Sequence, residues 1–316
     1  PTRRSSDLIL LTSTSFTDTP GIHQEKLYKA GLEIDTLKGP LKEEVLLSII
    51  SKYDGIICGD DAITKKVIKN GAEGNLKVIS KYGIGLDKID IEAAKKFKIP
   101  VTNCPGVNQV AVAEHIIAML FSYYKNIHLE YNITKQGAWQ RLIGHEVSGK
   151  RIGIVGLGRI GKVLAIRMQA LGLKVFVYDP YLDNDFVKIN KINSVDKIEE
   201  LVLDVDIVAL TLPLTEQSKG MINNELLAKA KRDVILVNTS RGLIVDQNCL
   251  IDSLKKGKIK AYLTDVLEEE PMIKNHPLLQ FDNVMITPHI GSRTFESVQR
   301  QGMMAIDNLF KALNIS

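Results

Sequence analysis

The sequence predicts an α/β protein with two doubly wound domains, each built on a parallel β-sheet. Short apolar runs alternate with longer helical patterns, which is typical of parallel sheets covered by helices. The alternation is interrupted once near the middle of the chain and then resumes. A length of 316 residues, with 45% apolar residues, is sufficient for two buried cores.

The first series of alternating patterns occupies roughly the first third of the chain. Its predicted strands are "LILLTS" (8–13), "GIICG" (55–59), "KVIS" (77–80) and "IPVTN" (99–103). Helical spacing occurs between them, as in 41–50 and 90–98. A single long helix is predicted over 108–131, and a polar stretch with several glycines follows it.

The second series begins at Lys150 and ends in a helical pattern over 294–313. Its predicted strands are "RIGIVG", "KVFVY", "DIVALTL", "DVILVNTS", "IKAYLTDV" and "NVMIT". The opening letters "PTRRSSD" have no strand pattern, and no function is assigned to them.

Charge and cysteine content exclude several classes of partner. The net charge is only +4 and the basic residues are dispersed, so neither nucleic acid nor an anionic membrane is a predicted partner. No apolar run approaches the ~20 residues of a membrane span, and the first residues do not resemble a signal peptide. Cys58, Cys104 and Cys249 are odd in number and lack metal-like spacing, which predicts a reducing cytoplasm and no metal site.

A glycine-rich turn follows the first strand of the second series. Gly156-x-Gly158-x-x-Gly161 lies between that strand and an amphipathic helix, a context in which free N–H groups can bind a pyrophosphate. The next strand ends at Asp179, 18 residues after Gly161 (179 − 161), where a carboxylate can bind ribose hydroxyls and repel a 2′-phosphate. The motif therefore predicts NAD rather than NADP, although a glycine turn that merely packs a helix on a sheet is the alternative.

Three ionisable side chains follow later strands, at the edge where open parallel sheets bind ligands. Arg241 follows "VILVNTS", Glu270 lies in "DVLEEEP", and His289 lies in "TPHIG". A histidine can exchange the proton that accompanies a hydride, a neighbouring carboxylate can stabilise the imidazolium, and a guanidinium can bind a carboxylate. Together these residues predict a site that reduces a 2-keto acid.

Each of these residues also has a purely structural interpretation. Arg241 could form a bridge with Asp246, and His289 could be a satisfied polar residue in a turn. The acidic run 268–270 could be a solvated loop, which is the commoner role of such a run. The functional interpretation rests on the three residues following successive strand ends.

The motifs resemble those of the D-isomer-specific 2-hydroxyacid dehydrogenases. "KYGIGLDKID", "NCPGVNQVAVAEH", "GIVGLGRIG", "VNTSRGLIVD", "DVLEEEP" and "TPHIG" occur in that family's order, from about Asp54 onward. The resemblance implies that Arg241 binds the substrate and that Glu270 assists His289 as the acid–base group. Glu268 and Glu269 match no catalytic position. The implied cofactor contacts are Gly156, Gly158, Arg159, Ile160, Gly161, Asp179 and Asp265.

The resemblance also implies the domain organisation. A discontinuous flavodoxin-like substrate domain is expected over 1–105 and 292–316, and a Rossmann-type NAD-binding domain over 106–291. The region 108–150 is expected to form a homodimer interface. Since the sequence ends near 316, the regulatory domain found in longer phosphoglycerate dehydrogenases, with its feedback by serine, is not expected.

The substrate is the least determined feature. The expected substrate residues are Lys81, Gly83, Ile84, Asn108 and Arg141. Lys81 and Arg141 match basic positions of the phosphoglycerate dehydrogenase branch, which slightly favours 3-phosphoglycerate. However, a third basic position falls at Gly59, beside Asp60, so glyoxylate, hydroxypyruvate or another small 2-keto acid is the alternative. A non-enzymatic NAD(H)-sensing protein related to corepressors is a further alternative.

Overall fold

Each series of strands forms its own parallel sheet in the computed structural model, which describes residues 6–315. The chain divides into two units. The first unit comprises Pro1–Asn108 and Arg293–Ser316, and the second comprises Gln109–Ser292. Among the described residues, no helix combines the length and apolarity needed to cross a bilayer.

The sheet of the first unit has the strand order β2-β1-β3-β4-β5, and all its strands are parallel. This is the flavodoxin-like order 2-1-3-4-5. Its strands are β1 (Leu8–Leu11), β2 (Glu33–Thr36), β3 (Gly55–Cys58), β4 (Val78–Lys81) and β5 (Val101–Thr102). The central strands β3 and β4 are buried along their whole length, and the buried part of β4 includes the polar residues Ser80 and Lys81.

Helices cover this sheet, and the last helix of the chain is one of them. They are α1 (Thr14–Asp18), α2 (Ile22–Tyr28), α3 (Glu43–Ile49), α4 (Lys65–Glu73), α5 (Ile91–Lys96) and α13 (Phe295–Leu313). The buried face of α13 includes Ile306 and Leu309, which pack in one cluster with Ile9, Ile57 and Val78 of the sheet. The unit is therefore discontinuous in sequence.

The sheet of the second unit has the order β12-β11-β10-β9-β6-β7-β8, again all parallel. Read from β8, it extends the Rossmann order 3-2-1-4-5-6 by one strand. The strands are β6 (Arg151–Val155), β7 (Lys174–Tyr178), β8 (Asn193–Ser194), β9 (Ile207–Leu210), β10 (Val234–Asn238), β11 (Ile259–Thr264) and β12 (Val284–Ile286). The predicted fold class is confirmed.

The helices of this unit are α6 (Gln109–Tyr124), α7 (Ile127–Lys135), α8 (Arg159–Ala170), α9 (Asn184–Ile189), α10 (Ile198–Val202), α11 (Asn224–Lys229) and α12 (Gln247–Lys255). Short 3₁₀ turns occur at Ile50–Lys52 in the first unit, and at Gly242–Ile244 and Pro277–Gln280 in the second.

The prediction of one helix over 108–131 is wrong, because that segment contains two helices with a break between them. Asn126 has a φ of 55°, a left-handed conformation that asparagine tolerates better than most residues. The carbonyl of Tyr124 accepts a hydrogen bond from the amide of His145 at 2.7 Å, so a later segment binds the end of α6. The apolar run of α6 continues into α7, which hid this break from a reading of hydrophobic spacing.

Candidate active site

The glycine-rich turn joins β6 to α8 in the second unit. Gly156 has a φ of 97°, and a Cβ at Gly161 would lie 2.1 Å from the Gly156 carbonyl oxygen, so both positions require glycine. A Cβ at Gly158 would meet nothing within 4 Å, so the backbone is open there. Gly158 precedes α8 without a side-chain cap, so a ligand anion could bind the first amides of the helix.

Asp179 follows β7 and is held against this turn. Its Oδ2 accepts a hydrogen bond from the Leu157 amide at 2.6 Å, and its Oδ1 accepts one from the Tyr181 amide at 2.8 Å. Each carboxylate oxygen retains capacity for a further donor, such as a ribose hydroxyl. The open backbone at Gly158, the uncapped helix start and the anchored carboxylate therefore fit an NAD molecule.

Arg241 follows β10 on a loop that buried Asn238 fixes. The Asn238 Nδ2 donates to the Arg241 carbonyl at 2.9 Å, and its Oδ1 accepts from the Ser240 amide at 3.0 Å. A Cβ at Gly242 would lie 2.0 Å from the Leu267 carbonyl carbon. The loop that carries Arg241 is therefore packed against the loop that leads to Glu270.

Glu270 and His289 are in hydrogen-bond contact at the carboxyl edge of the same sheet. Glu270 Oε2 lies 2.7 Å from His289 Nδ1, and Glu270 Oε1 accepts from the Leu267 amide at 2.9 Å. The two side chains are about one-third exposed, with relative areas of 33% for His289 and 34% for Glu270. Contact through Nδ1 assigns any proton exchange with a ligand to Nε2 of the imidazole.

Asp265, which follows β11, organises the turn on which His289 lies. Thr287 Oγ1 donates to its Oδ1 at 2.6 Å, and the Ile290 and Gly291 amides donate to its carboxylate at 2.9 and 2.7 Å. The carbonyl of Asp265 also accepts from the His289 amide at 2.9 Å. His289 has a φ of 55°, so this turn holds it in a conformation that few non-glycine residues adopt.

Burial raises the pKa of the Asp265 carboxyl, but hydrogen bonds from His115, Thr287 and the Ile290 and Gly291 amides outweigh it, so the net pKa is lowered. His115 on α6 reaches this cluster, with Nε2 2.9 Å from Thr287 Oγ1 and 3.4 Å from Asp265 Oδ1. Sequence reasoning missed the contributions of His115 and Thr287. Thr287 stands two residues before His289, a signal that could have been used, whereas nothing local to His115 indicates a partner so distant in sequence.

Three of the expected substrate residues of the first unit lie at or just after the end of β4, and the fourth, Asn108, follows β5. Lys81 is the last residue of β4, Gly83 has a φ of 128°, and the Ile84 carbonyl accepts from Asn103 Nδ2 at 2.8 Å. Asn108 is buried, and its Oδ1 has no hydrogen-bond partner among the described residues. Arg141 belongs to the second unit, where it is exposed on a segment without regular structure.

The second unit combines the Rossmann strand order with a glycine-rich turn, an anchored carboxylate and ionisable residues that follow its strands. These features define a dinucleotide-binding protein of the dehydrogenase type. A family model described as the NAD binding domain of D-isomer specific 2-hydroxyacid dehydrogenases matches residues 117–291. The chain belongs to this family, and NAD is its cofactor class.

Individual relatives carry different names. A D-3-phosphoglycerate dehydrogenase of Methanocaldococcus jannaschii is 35% identical over 93% of this chain, which spans 56% of that relative's length. A glyoxylate reductase of Thermofilum pendens is 39% identical over 87% of this chain and 82% of its own length. The NAD⁺-bound 3-phosphoglycerate dehydrogenase of Entamoeba histolytica superposes with a TM-score of 0.79 at 31% identity, covering 98% of this chain and 96% of that one.

Proposed function

We propose that the chain is an NAD-dependent oxidoreductase that interconverts a D-2-hydroxy acid and its 2-keto acid. The observation that carries this proposal is the 2.7 Å contact between Glu270 Oε2 and His289 Nδ1, at the carboxyl edge of the sheet of the NAD-binding unit. Membership of the D-isomer-specific 2-hydroxyacid dehydrogenase family supports the same reaction class.

The bound nicotinamide supplies or accepts the hydride, and the side chains of the chain manage the substrate and the proton. In the reductive direction, protonated His289 donates from Nε2 to the keto oxygen and becomes neutral. Glu270 stabilises the imidazolium before transfer and keeps the remaining proton on Nδ1. His289 then regains a proton from solvent, and in the oxidative direction it accepts the hydroxyl proton.

Arg241 binds the substrate carboxylate in this proposal. A guanidinium can make two parallel hydrogen bonds to a carboxylate, which fixes the plane of the 2-keto acid. The contacts between Asn238 and the Arg241 loop support this role, since they fix the backbone from which the side chain extends. A fixed orientation matters because hydride transfer to one face determines the D configuration of the product.

Two substrate classes compete for this site. 3-Phosphoglycerate is favoured slightly by the basic residues Lys81 and Arg141 in the sequence and by the name of the Methanocaldococcus jannaschii relative. A small 2-keto acid such as glyoxylate or hydroxypyruvate is favoured by the absence of a cation at Gly59 and by the name of the Thermofilum pendens relative.

A homodimer formed through the region 108–150 is part of the proposal. This region exposes several large apolar side chains on α7 and on the irregular segment after it. They are Ile127 (55% exposed), Tyr131 (61%), Trp139 (80%) and Ile143 (93%). Several exposed apolar residues of this size in one region favour a surface that a partner covers, and a second copy of the chain is the proposed partner.

We also propose a reducing compartment such as the cytoplasm. All three cysteines are free, with Cys58 and Cys104 buried and Cys249 half-buried.

The test is NADH oxidation measured with a panel that contains glyoxylate, hydroxypyruvate, pyruvate and 3-phosphohydroxypyruvate. We expect turnover with at least one 2-keto acid; for every panel member except glyoxylate, whose reduction product is achiral, the product should have the D configuration, determined by chiral chromatography. Calorimetric binding of NADH without turnover of any panel member would instead support an NAD(H)-sensing protein without enzymatic activity.

A further inference from the structure

The lysine at the carboxyl end of β4 is already neutralised within its own unit. Lys81 Nζ lies 2.7 Å from Asp60 Oδ1 and also donates to the Gly59 carbonyl. The Lys81 side chain is 4% exposed, whereas the Asp60 side chain is 51% exposed. Asp60 is therefore the exposed member of this ion pair, and Lys81 is the buried one.

The loop that carries Asp60 is fixed by its neighbour Asp61, which is fully buried. The Asp61 carboxylate accepts from Thr12 Oγ1 at 2.5 Å, from the Leu41 amide at 2.6 Å and from the Gly59 amide at 2.9 Å. These bonds fix the backbone on both sides of Asp60. The carboxylate of Asp60 therefore extends from an ordered loop towards the lysine.

We propose that Asp60 is a specificity-determining residue, which selects a 2-keto acid without an anionic distal group. This inference rests on the proposed function, in which Lys81 is one of the basic residues that favour a phosphorylated substrate. A phosphate carries nearly two negative charges near neutrality and needs cations that are not already neutralised. At this edge it would meet the Asp60 carboxylate and a lysine engaged by it.

Small 2-keto acids avoid this conflict. Glyoxylate has no distal group, and the distal hydroxyl of hydroxypyruvate is neutral and can donate a hydrogen bond to a carboxylate. The Lys81 ammonium has three donors, of which Asp60 and the Gly59 carbonyl engage two, so a phosphate that reached Lys81 would share it with the Asp60 carboxylate. The phosphate and the Asp60 carboxylate would then lie close together, and like charges brought together oppose binding.

Asp60→Asn tests this inference, because it removes the carboxylate but keeps the side-chain shape. We expect the parent to prefer hydroxypyruvate over 3-phosphohydroxypyruvate at least ~10-fold in kcat/KM. The variant should raise the relative kcat/KM of the phosphorylated substrate ~10–100-fold, the equivalent of one charge-assisted hydrogen bond. Adding Lys81→Ala to Asp60→Asn should abolish the gain, which would show that the gain acts through Lys81.

Two further variants separate local charge from other effects. Glu44→Gln removes an exposed acid of the same unit in the first turn of α3, so it has the same effect on net charge and should leave the substrate ratio unchanged. Asp60→Glu keeps a carboxylate, so kcat/KM for 3-phosphohydroxypyruvate relative to hydroxypyruvate should stay as low as in the parent. A thermal unfolding midpoint for each protein verifies that it is folded.

A titration without turnover distinguishes a failure of this inference from a failure of the proposed function. Calorimetry with 3-phosphoglycerate should show at least ~10-fold tighter binding to Asp60→Asn than to the parent. If the parent reduces no 2-keto acid, the proposed function fails while the titration still decides the role of Asp60. A parent that prefers 3-phosphohydroxypyruvate over hydroxypyruvate overturns the inference. It is also overturned if Asp60→Asn matches the parent both in the ratio of kcat/KM values for these substrates and in its affinity for 3-phosphoglycerate.

Discussion

Glu270 Oε2 lies 2.7 Å from Nδ1 of His289, although the two residues follow different strands of the sheet. The contact joins the loop after β11 to the turn after β12. Asp265 fixes that turn through the Ile290 and Gly291 amides, and the Leu267 amide donates to Glu270 Oε1. The orientation of the imidazole is thus set by groups on both loops.

His289→Asn should fold and bind NADH but lose about 10²–10⁴-fold in turnover, the usual contribution of a positioned acid–base group. Asparagine can retain a hydrogen bond to Glu270 but cannot exchange a proton near neutrality. Steady-state rates and NADH fluorescence titrations measure the two properties separately. Turnover near that of the parent would exclude His289 from the proton transfer.

Glu270→Gln should lower the pH at which reduction fails. Reduction needs the imidazolium, and an anionic neighbour favours this charged form, so its removal should shift the upper limb of the kcat/KM profile to lower pH. The matched control is Glu269→Gln, an exposed neighbour in the same loop. A profile that is unchanged in Glu270→Gln, or equally shifted in both variants, would contradict the electrostatic role of Glu270.

The parts of this architecture that the sequence predicted are those encoded locally. Apolar runs predicted β3 and the central strands of the second sheet, and the shorter run in "KVIS" predicted β4. The largely exposed strand β2 and the two-residue strand β8 lacked such a signal. The contact of Lys81 with Asp60 depends on the alignment of β3 with β4, in which Cys58 pairs with Lys81. The amino-acid sequence identifies Asp60 as an acidic residue, but it does not indicate that Lys81 is the residue with which it pairs.

Asp179→Ala should weaken the preference of the chain for NADH over NADPH. The parent carboxylate, anchored by the Leu157 and Tyr181 amides, repels a 2′-phosphate and occupies its space. We expect the ratio of kcat/KM values for the two cofactors to fall at least ~10-fold in the variant. Asp185→Ala is the control, because Asp185 lies on α9 and is exposed. Equal use of both cofactors by the parent would refute the role of Asp179.

Ile143→Glu should convert the proposed homodimer into monomers. Ile143 is 93% exposed in the single chain, so a charge there should hardly change the folding stability of a monomer. In an interface the same charge would be desolvated, which opposes association. Sedimentation equilibrium of the parent and the variant measures the association. The control is Ile189→Glu, an exposed isoleucine (77%) on α9 outside the region 108–150. A parent that is monomeric at micromolar concentration would refute the dimer.

Asp265→Asn should destabilise the protein near neutral pH but not in acid. The lowered pKa means that the folded state favours the carboxylate, whose hydrogen bonds should contribute about 1.5–3 kcal/mol. This contribution is fully present above the unfolded-state pKa of about 3.9, and it is lost as pH falls through the lower folded-state pKa. An asparagine does not titrate, and its NH₂ group cannot accept from the Ile290 or Gly291 amide.

The measurement is denaturant unfolding of the parent and of Asp265→Asn, monitored by circular dichroism at a series of pH values from about pH 7 to about pH 3. The quantity compared is the denaturant concentration at the unfolding midpoint. The gap between the two midpoints should be widest near neutrality and should narrow below about pH 4, because protonation removes from the parent what the substitution removes from the variant. Asp282→Asn alters an exposed aspartate of the same unit and should show no such gap. A gap that stays constant with pH would mean that Asp265 contributes through shape rather than charge.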